Sequence, residues 1–182
     1  SPPAWAEGLD VRSAHNETIR YTSIPFEYER YDEPRLIELR RNYKLDDVVA
    51  GAADELEAMR KLQAWVSKQW DYDPPQPPYP AWDAHEILER RQGFCVQYAV
   101  VYMQCALSLG MQTRFVFGIF PNARLKDKHI CGHEVCEVWS NQYGKWVMID
   151  PNRNELFLDA TTGVPMSILE LRAELLRLYS PD

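Results

Sequence analysis

Two periodicities divide the chain. In "DELEAMRKLQAWVSKQW" the residues Leu56, Met59, Gln63, Val66 and Trp70 recur at three- and four-residue steps, which predicts an amphipathic helix ending near Trp70. Helix signals begin earlier, at "RLIELRRNY", and return in "DAHEILERRQG", with Asp83 as N-cap and Gly93 near the end. From Cys95 to Leu109 one broad apolar face carries Val96, Ala99, Val100, Met103, Ala106 and Leu107, and Gly110 stands in the usual stop position. This is the pattern of a buried helix. The residue types then change: "TRFVFGIF", "EVCEVWS" and "KWVMID" are rich in β-branched and aromatic residues and are separated by turn signals. Three strands are expected, the last two forming an antiparallel hairpin through "NQYGK". "SILELRAELLRLY" closes the chain as an amphipathic helix, with Ser167 and Glu170 spaced as a capping box. Helices first and strands after predict an α+β domain in which the buried helix lies on an antiparallel sheet.

Prolines mark the interruptions. Residues 1–34 carry Pro2, Pro3, Pro25 and Pro34 around short alternating runs, suiting an extended arm or edge strand ahead of a single domain over 35–182. Between Pro74 and Pro80, five of seven residues are proline, so this segment is a stiff loop. Composition adds limits. The 182 residues are 46% apolar with a formal charge of -7, and the basic residues are scattered, which argues against nucleic acid or an anionic membrane as partner. No apolar run approaches the roughly 20 residues that span a bilayer, so a soluble domain is expected, with no membrane insertion. The start "SPPAWAEG" suits a processed form or a piece of a longer polypeptide. Asn16-Glu17-Thr18 fits a glycosylation sequon, a triplet common by chance.

The chemistry gathers at Cys95, in "RRQGFCVQYAVVYMQCALSLG". A cysteine in the first turn of a helix meets unpaired backbone N–H groups and the positive end of the helix dipole, both of which favour thiolate. Gly93, without a side chain, would let a substrate backbone approach. The plain alternative is a cysteine that merely opens a buried helix. A base is then needed, and His133 stands near the start of one strand while Asp150 ends the next. If the strands pair about a turn centred near residue 141.5, the two are almost directly opposed, and the carboxylate can orient the imidazole. Cys105 reads as a small buried hydrophobe.

These blocks resemble the core of the transglutaminase-like superfamily, a branch of the papain-like cysteine enzymes. The resemblance rests on Gly93-Phe94-Cys95 with Tyr98-Ala99, on Arg114 in "MQTRFVFG", on His133 followed by Glu137-Val138, and on Trp146 running into Asp150-Pro151. It covers about residues 50–152 and implies Cys95 as nucleophile, His133 as general base and then acid, and Asp150 as the group that fixes the ring. It implies cofactor-free acyl transfer on a protein or peptide substrate through a thioester, with hydrolysis as the main reading and amine crosslinking as the alternative. It also implies the Cys95 backbone N–H as one oxyanion donor. Trp82, Gln92 and Gln97 are candidates for the side-chain donor or the substrate cleft. Compact members of this kind are largely bacterial, which suggests a periplasmic or secreted setting. The larger crosslinkers carry calcium sites, but no EF-hand loop or dense carboxylate run occurs here.

Two other classes compete. Cys131, His133 and Cys136, with Cys95, offer zinc-ligand chemistry, but 133 and 136 differ by an odd number and face opposite ways on a regular strand, so no metal is expected. A Cys131–Cys136 disulfide requires the strand to begin after Cys131. A non-catalytic module with a relic triad would instead use the aromatic, proline-rich loop from Tyr72 to Trp82 to hold a peptide or glycan. The acidic positions Asp54, Glu55, Glu57, Glu86 and Glu89 read as solvated helix faces.

Overall fold

The computed structural model describes residues 29–121 and 130–179. The expected N-terminal arm lies almost wholly outside the described residues. Its last position, Pro34, opens a helix, because proline's missing N–H costs nothing in the first helical turn. In chain order the elements are α1 (Pro34–Asn42), α2 (Leu45–Val49), α3 (Glu55–Val66), α4 (Ala84–Arg90), α5 (Cys95–Ser108), β1 (Thr113–Pro121), β2 (Ile130–Ser140), β3 (Lys145–Ile149) and α6 (Ile168–Tyr179). The strands form one antiparallel sheet in the order β1-β2-β3. The domain is α+β, as the pattern predicts.

The central element is α5. Its residues Tyr98, Ala99, Val100, Val101, Tyr102, Cys105 and Ala106 are all at most 2% exposed. They point in every direction around the helix, while Val96 and Met103 are only half-buried. The expected one-sided face is therefore a helix enclosed on nearly all sides, by α1, α3 and α4 and by β1 and β2. Each fully buried aliphatic side chain contributes roughly 1.5–3 kcal/mol. The helix stops as expected, with Gly110 at φ 82°.

Local chemistry sets the other boundaries. Asp54 Oδ1 accepts from Glu57 N at 2.8 Å and Asp83 Oδ1 from Glu86 N at 3.2 Å, so both helices start on aspartate caps. α3 ends at Val66, one turn before Trp70, whose indole is nonetheless buried. The left-handed cap of α4 is Arg91 at φ 52°, not Gly93. Ser167 Oγ accepts from Glu170 N and Glu170 Oε2 from Ser167 N, completing the expected capping box of α6. Glu55 differs from the solvated reading: its carboxylate accepts from Ser140 Oγ, Asn141 Nδ2 and Gln142 N, so α3 clamps the β2–β3 turn.

The sheet is also tied through Glu137, which is fully buried. Its Oε2 accepts from Arg114 Nε at 3.0 Å and Nη2 at 2.6 Å, and its Oε1 accepts from Ile168 N at 2.8 Å. One carboxylate thus links β1, β2 and the start of α6, and the Arg114 guanidinium lies 4.1 Å over the Trp146 ring on β3.

Candidate active site

The nucleophile candidate is placed by its approach loop. The carbonyl of Gly93 accepts from the Trp70 indole at 3.2 Å and from Asp73 N at 3.1 Å, while Trp70 stacks on Tyr98 with ring centroids 4.3 Å apart. Phe94 N donates to Gln97 Oε1 at 3.2 Å, closing the first turn of α5. Cys95 follows, 9% exposed, at the helix N-terminus where the sequence puts it. Gly93 also meets a packing need: a Cβ there would meet Gln97 Cβ at 2.4 Å, so the missing side chain makes room for Gln97.

His133 Nε2 and Asp150 Oδ2 are 2.6 Å apart, with side chains 15% and 3% exposed. Their strand register differs from the expected one. Cys136 pairs with Ile149 and Ser140 with Lys145, which centres the hairpin one residue later and makes His133 a diagonal, same-face neighbour of Asp150 rather than its direct opposite. The diagonal gap suits an imidazole reaching a carboxylate. The other carboxylate oxygen is fixed, because Asp150 Oδ1 accepts from Asn152 N and Arg153 N, both at 3.1 Å. Behind it, Gln63 Nε2 donates to Asp150 O at 3.0 Å and to Glu155 O at 2.7 Å.

This environment favours the imidazolium. The Asp150 hydrogen bond raises the His133 pKa to about 9, helped by the Cys95 sulfur and the Asp150 charge, and opposed by burial and by Arg153. With Nε2 turned to Asp150, Nδ1 is the ring nitrogen left for Cys95. Burial pushes the Cys105 and Cys136 thiols far up, keeping both protonated and inert. Cys136 Sγ donates to Ala99 O at 3.1 Å, facing α5 as strand alternation predicts, and it is a free thiol. The side chain of Cys131 lies outside the described residues.

One partner of Cys95 escapes the sequence reading. Cys95 Sγ donates to Glu134 Oε2 at 2.7 Å. Glu134 follows His133 on β2 and shares the strand face of Cys136, which already points at α5. That shared parity puts Glu134 on the α5 side of the strand, but which residue of α5 it meets is set by packing. The three cleft candidates separate. The Gln97 carbonyl oxygen accepts from Phe94 N, capping the first turn of α5, and the residue is 8% exposed. Trp82 is 63% exposed with its ring 5.1 Å from that of Phe115. Gln92 is half-buried just before Gly93.

The site thus brings together a thiol at a helix N-terminus and an imidazole held by a carboxylate. The family model described as "Transglutaminase-like superfamily" matches residues 43–151, and the chain belongs to that superfamily, whose members are usually cysteine-based enzymes. Among solved structures, a putative cysteine protease from Cytophaga hutchinsonii aligns with TM-score 0.50 and 15% identity, over 66% of this chain and 41% of that one. The periplasmic domain of TgpA from Pseudomonas aeruginosa, bound to ethylmercury, aligns with TM-score 0.51 and 19% identity, over 71% of this chain and 47% of that one. The chain therefore spans less than half the length of either. At these identities the likeness is one of fold. A search of curated proteins gave no match. Among the described residues no helix is long and apolar enough to cross a membrane.

Proposed function

We propose that this domain is a cysteine-dependent hydrolase of amide or peptide bonds, with Cys95 as nucleophile, His133 as general base and acid, and Asp150 as the group that orients the ring. The observation that carries the reading is the 2.6 Å His133–Asp150 contact, which leaves Nδ1 for a thiol at the head of α5. In the reaction, the Cys95 sulfur forms a bond to the carbonyl carbon, and backbone N–H groups of the first turn of α5 receive the oxyanion. The C–N bond then breaks, and His133 gives its proton to the departing amine. A thioester remains. Water attacks it as His133 takes a proton, the C–S bond breaks, and a carboxylic acid leaves while Cys95 is restored. An amine in place of water would give a new amide, the transglutaminase outcome. A putative cysteine protease and a periplasmic domain among the structural neighbours favour hydrolysis and an extracytoplasmic setting.

Alkylation of Cys95 by iodoacetamide, read on its own peptide by mass spectrometry from pH 4 to 9, tests the assignment. Labelling that persists below the ordinary thiol pKa of about 8.5 and slows at least about tenfold in His133→Ala is expected. An ordinary thiol profile, identical in both proteins, would sink the triad and leave a binding module with a relic site.

A further inference from the structure

Glu134 brings a carboxylate to the reacting sulfur that neither the base nor its orienter requires. It is half-buried, and its Oε2 accepts a hydrogen bond from the Cys95 thiol. A second feature stands beside it. Phe117 on β1 is the register partner of Glu134, so the two side chains rise from the same face of the sheet with Cβ atoms roughly 5 Å apart. Phe117 is 54% exposed, and its ring occupies the space over Gly132: a Cβ on that glycine would meet Phe117 Cε2 at 2.4 Å. The exposed aromatic ring therefore lies over bare backbone next to a carboxylate, at the mouth of the thiol. Carboxylate and ring face attract the same kind of group.

The geometry points to a cation-accepting subsite formed by Glu134 and Phe117, so that the group entering beside Cys95 carries an ammonium or guanidinium close to the attacked carbonyl. This inference rests on the proposed acyl-transfer chemistry and names its substrate class: amides flanked by a positively charged residue, or an amine that enters in its ammonium form. When the cation takes the Glu134 carboxylate, the carboxylate no longer holds the thiol proton. The thiol then faces His133 and the bound substrate without that acceptor. The charged groups acting on the adjacent His133 are Asp150 and Arg153, and below about pH 9 both Arg153 and the His133 imidazolium oppose a cation nearby. Replacing Glu134 alone isolates its contribution.

Two small thiol reagents of equal reach and opposite charge read the subsite directly. The rates at which 2-(trimethylammonium)ethyl and 2-sulfonatoethyl methanethiosulfonate modify Cys95 are measured by peptide mass spectrometry, each divided by its rate with 2-mercaptoethanol. The wild-type chain is expected to prefer the cationic reagent by about tenfold, since one nearby charge attracts it and repels its counterpart. Glu134→Gln brings the ratio near one, Glu134→Lys inverts it, and Phe117→Ala lowers it by about half. Near-ultraviolet circular dichroism confirms that each variant is folded. A ratio unchanged in both Glu134 variants overturns the subsite. His133→Ala keeps the two readings apart: its loss of iodoacetamide reactivity reports the triad, while the charge ratio at the sulfur reports Glu134 whether or not the triad operates.

Discussion

Replacing Asp150 by Asn removes the main cause of the raised His133 pKa while keeping the size of the side chain. Asp150 supplies the first cause of the rise from 6.5 to about 9, through its hydrogen bond, and a further part through its charge. With those gone, the Cys95 sulfur still favours the imidazolium while burial and Arg153 oppose it, so the His133 pKa should fall from about 9 toward 6.5. At 1.36 kcal/mol per pH unit, the rise corresponds to at most ~3 kcal/mol of stability. The sign follows from the direction. Because the folded state holds the proton more tightly than the unfolded chain, this stabilisation is fully present below pH 6.5, declines above it and is gone once the pH passes about 9. Urea unfolding at pH 6 and pH 9.5 should therefore show the wild-type chain losing up to ~3 kcal/mol more than Asp150→Asn between the two conditions. Nuclear magnetic resonance of the ring protons gives the pKa itself, the His133 signal being the one of four histidines absent in His133→Ala. A wild-type signal titrating near 6.5, or the same pH dependence of stability in both proteins, would refute the reasoning.

Two further substitutions probe the frame around the site. Arg114→Ala leaves the 1%-exposed Glu137 carboxylate without its cation, a loss of about 3–5 kcal/mol that equilibrium urea unfolding would register; a loss below 1 kcal/mol would mean the pair is dispensable. Gly93→Ala forces a Cβ onto Gln97, so the start of α5 must shift, and iodoacetamide labelling of Cys95 should slow several-fold while the melting temperature falls by only a few degrees.

Much of the site was legible because its chemistry depends on residue type at structural boundaries. A cysteine in the first turn of an apolar helix, a histidine on a strand and an aspartate at the end of the next can be found from period and turn signals alone. Register was less legible. The loop from Asn141 to Gly144 has four residues, with Gly144 at φ 62°, and "NQYGK" does not reveal which residues the last ladder pair joins, so the hairpin centre was misplaced by one. The capping contact of Gln97 was not legible either: its side-chain oxygen turns back to the Phe94 N–H, a choice made by the helix end. Glu134 was hidden because alternation describes faces of a strand, whereas its meeting with Cys95 depends on where α5 crosses β2. That crossing is a property of packing, and no local pattern encodes it.

Gln63 lies on the apolar stripe of α3, and from there its single amide holds the carbonyls of both Asp150 and Glu155. The consequence is one of entropy. The segment after β3 would otherwise be a loop with backbone freedom of roughly 1–2 kcal/mol per residue, and the Asp150 carboxylate sits on that segment. By docking that segment to α3, the fold orders the Asp150 carboxylate when the chain folds, so in the proposed reaction the His133 ring is aimed before any substrate arrives.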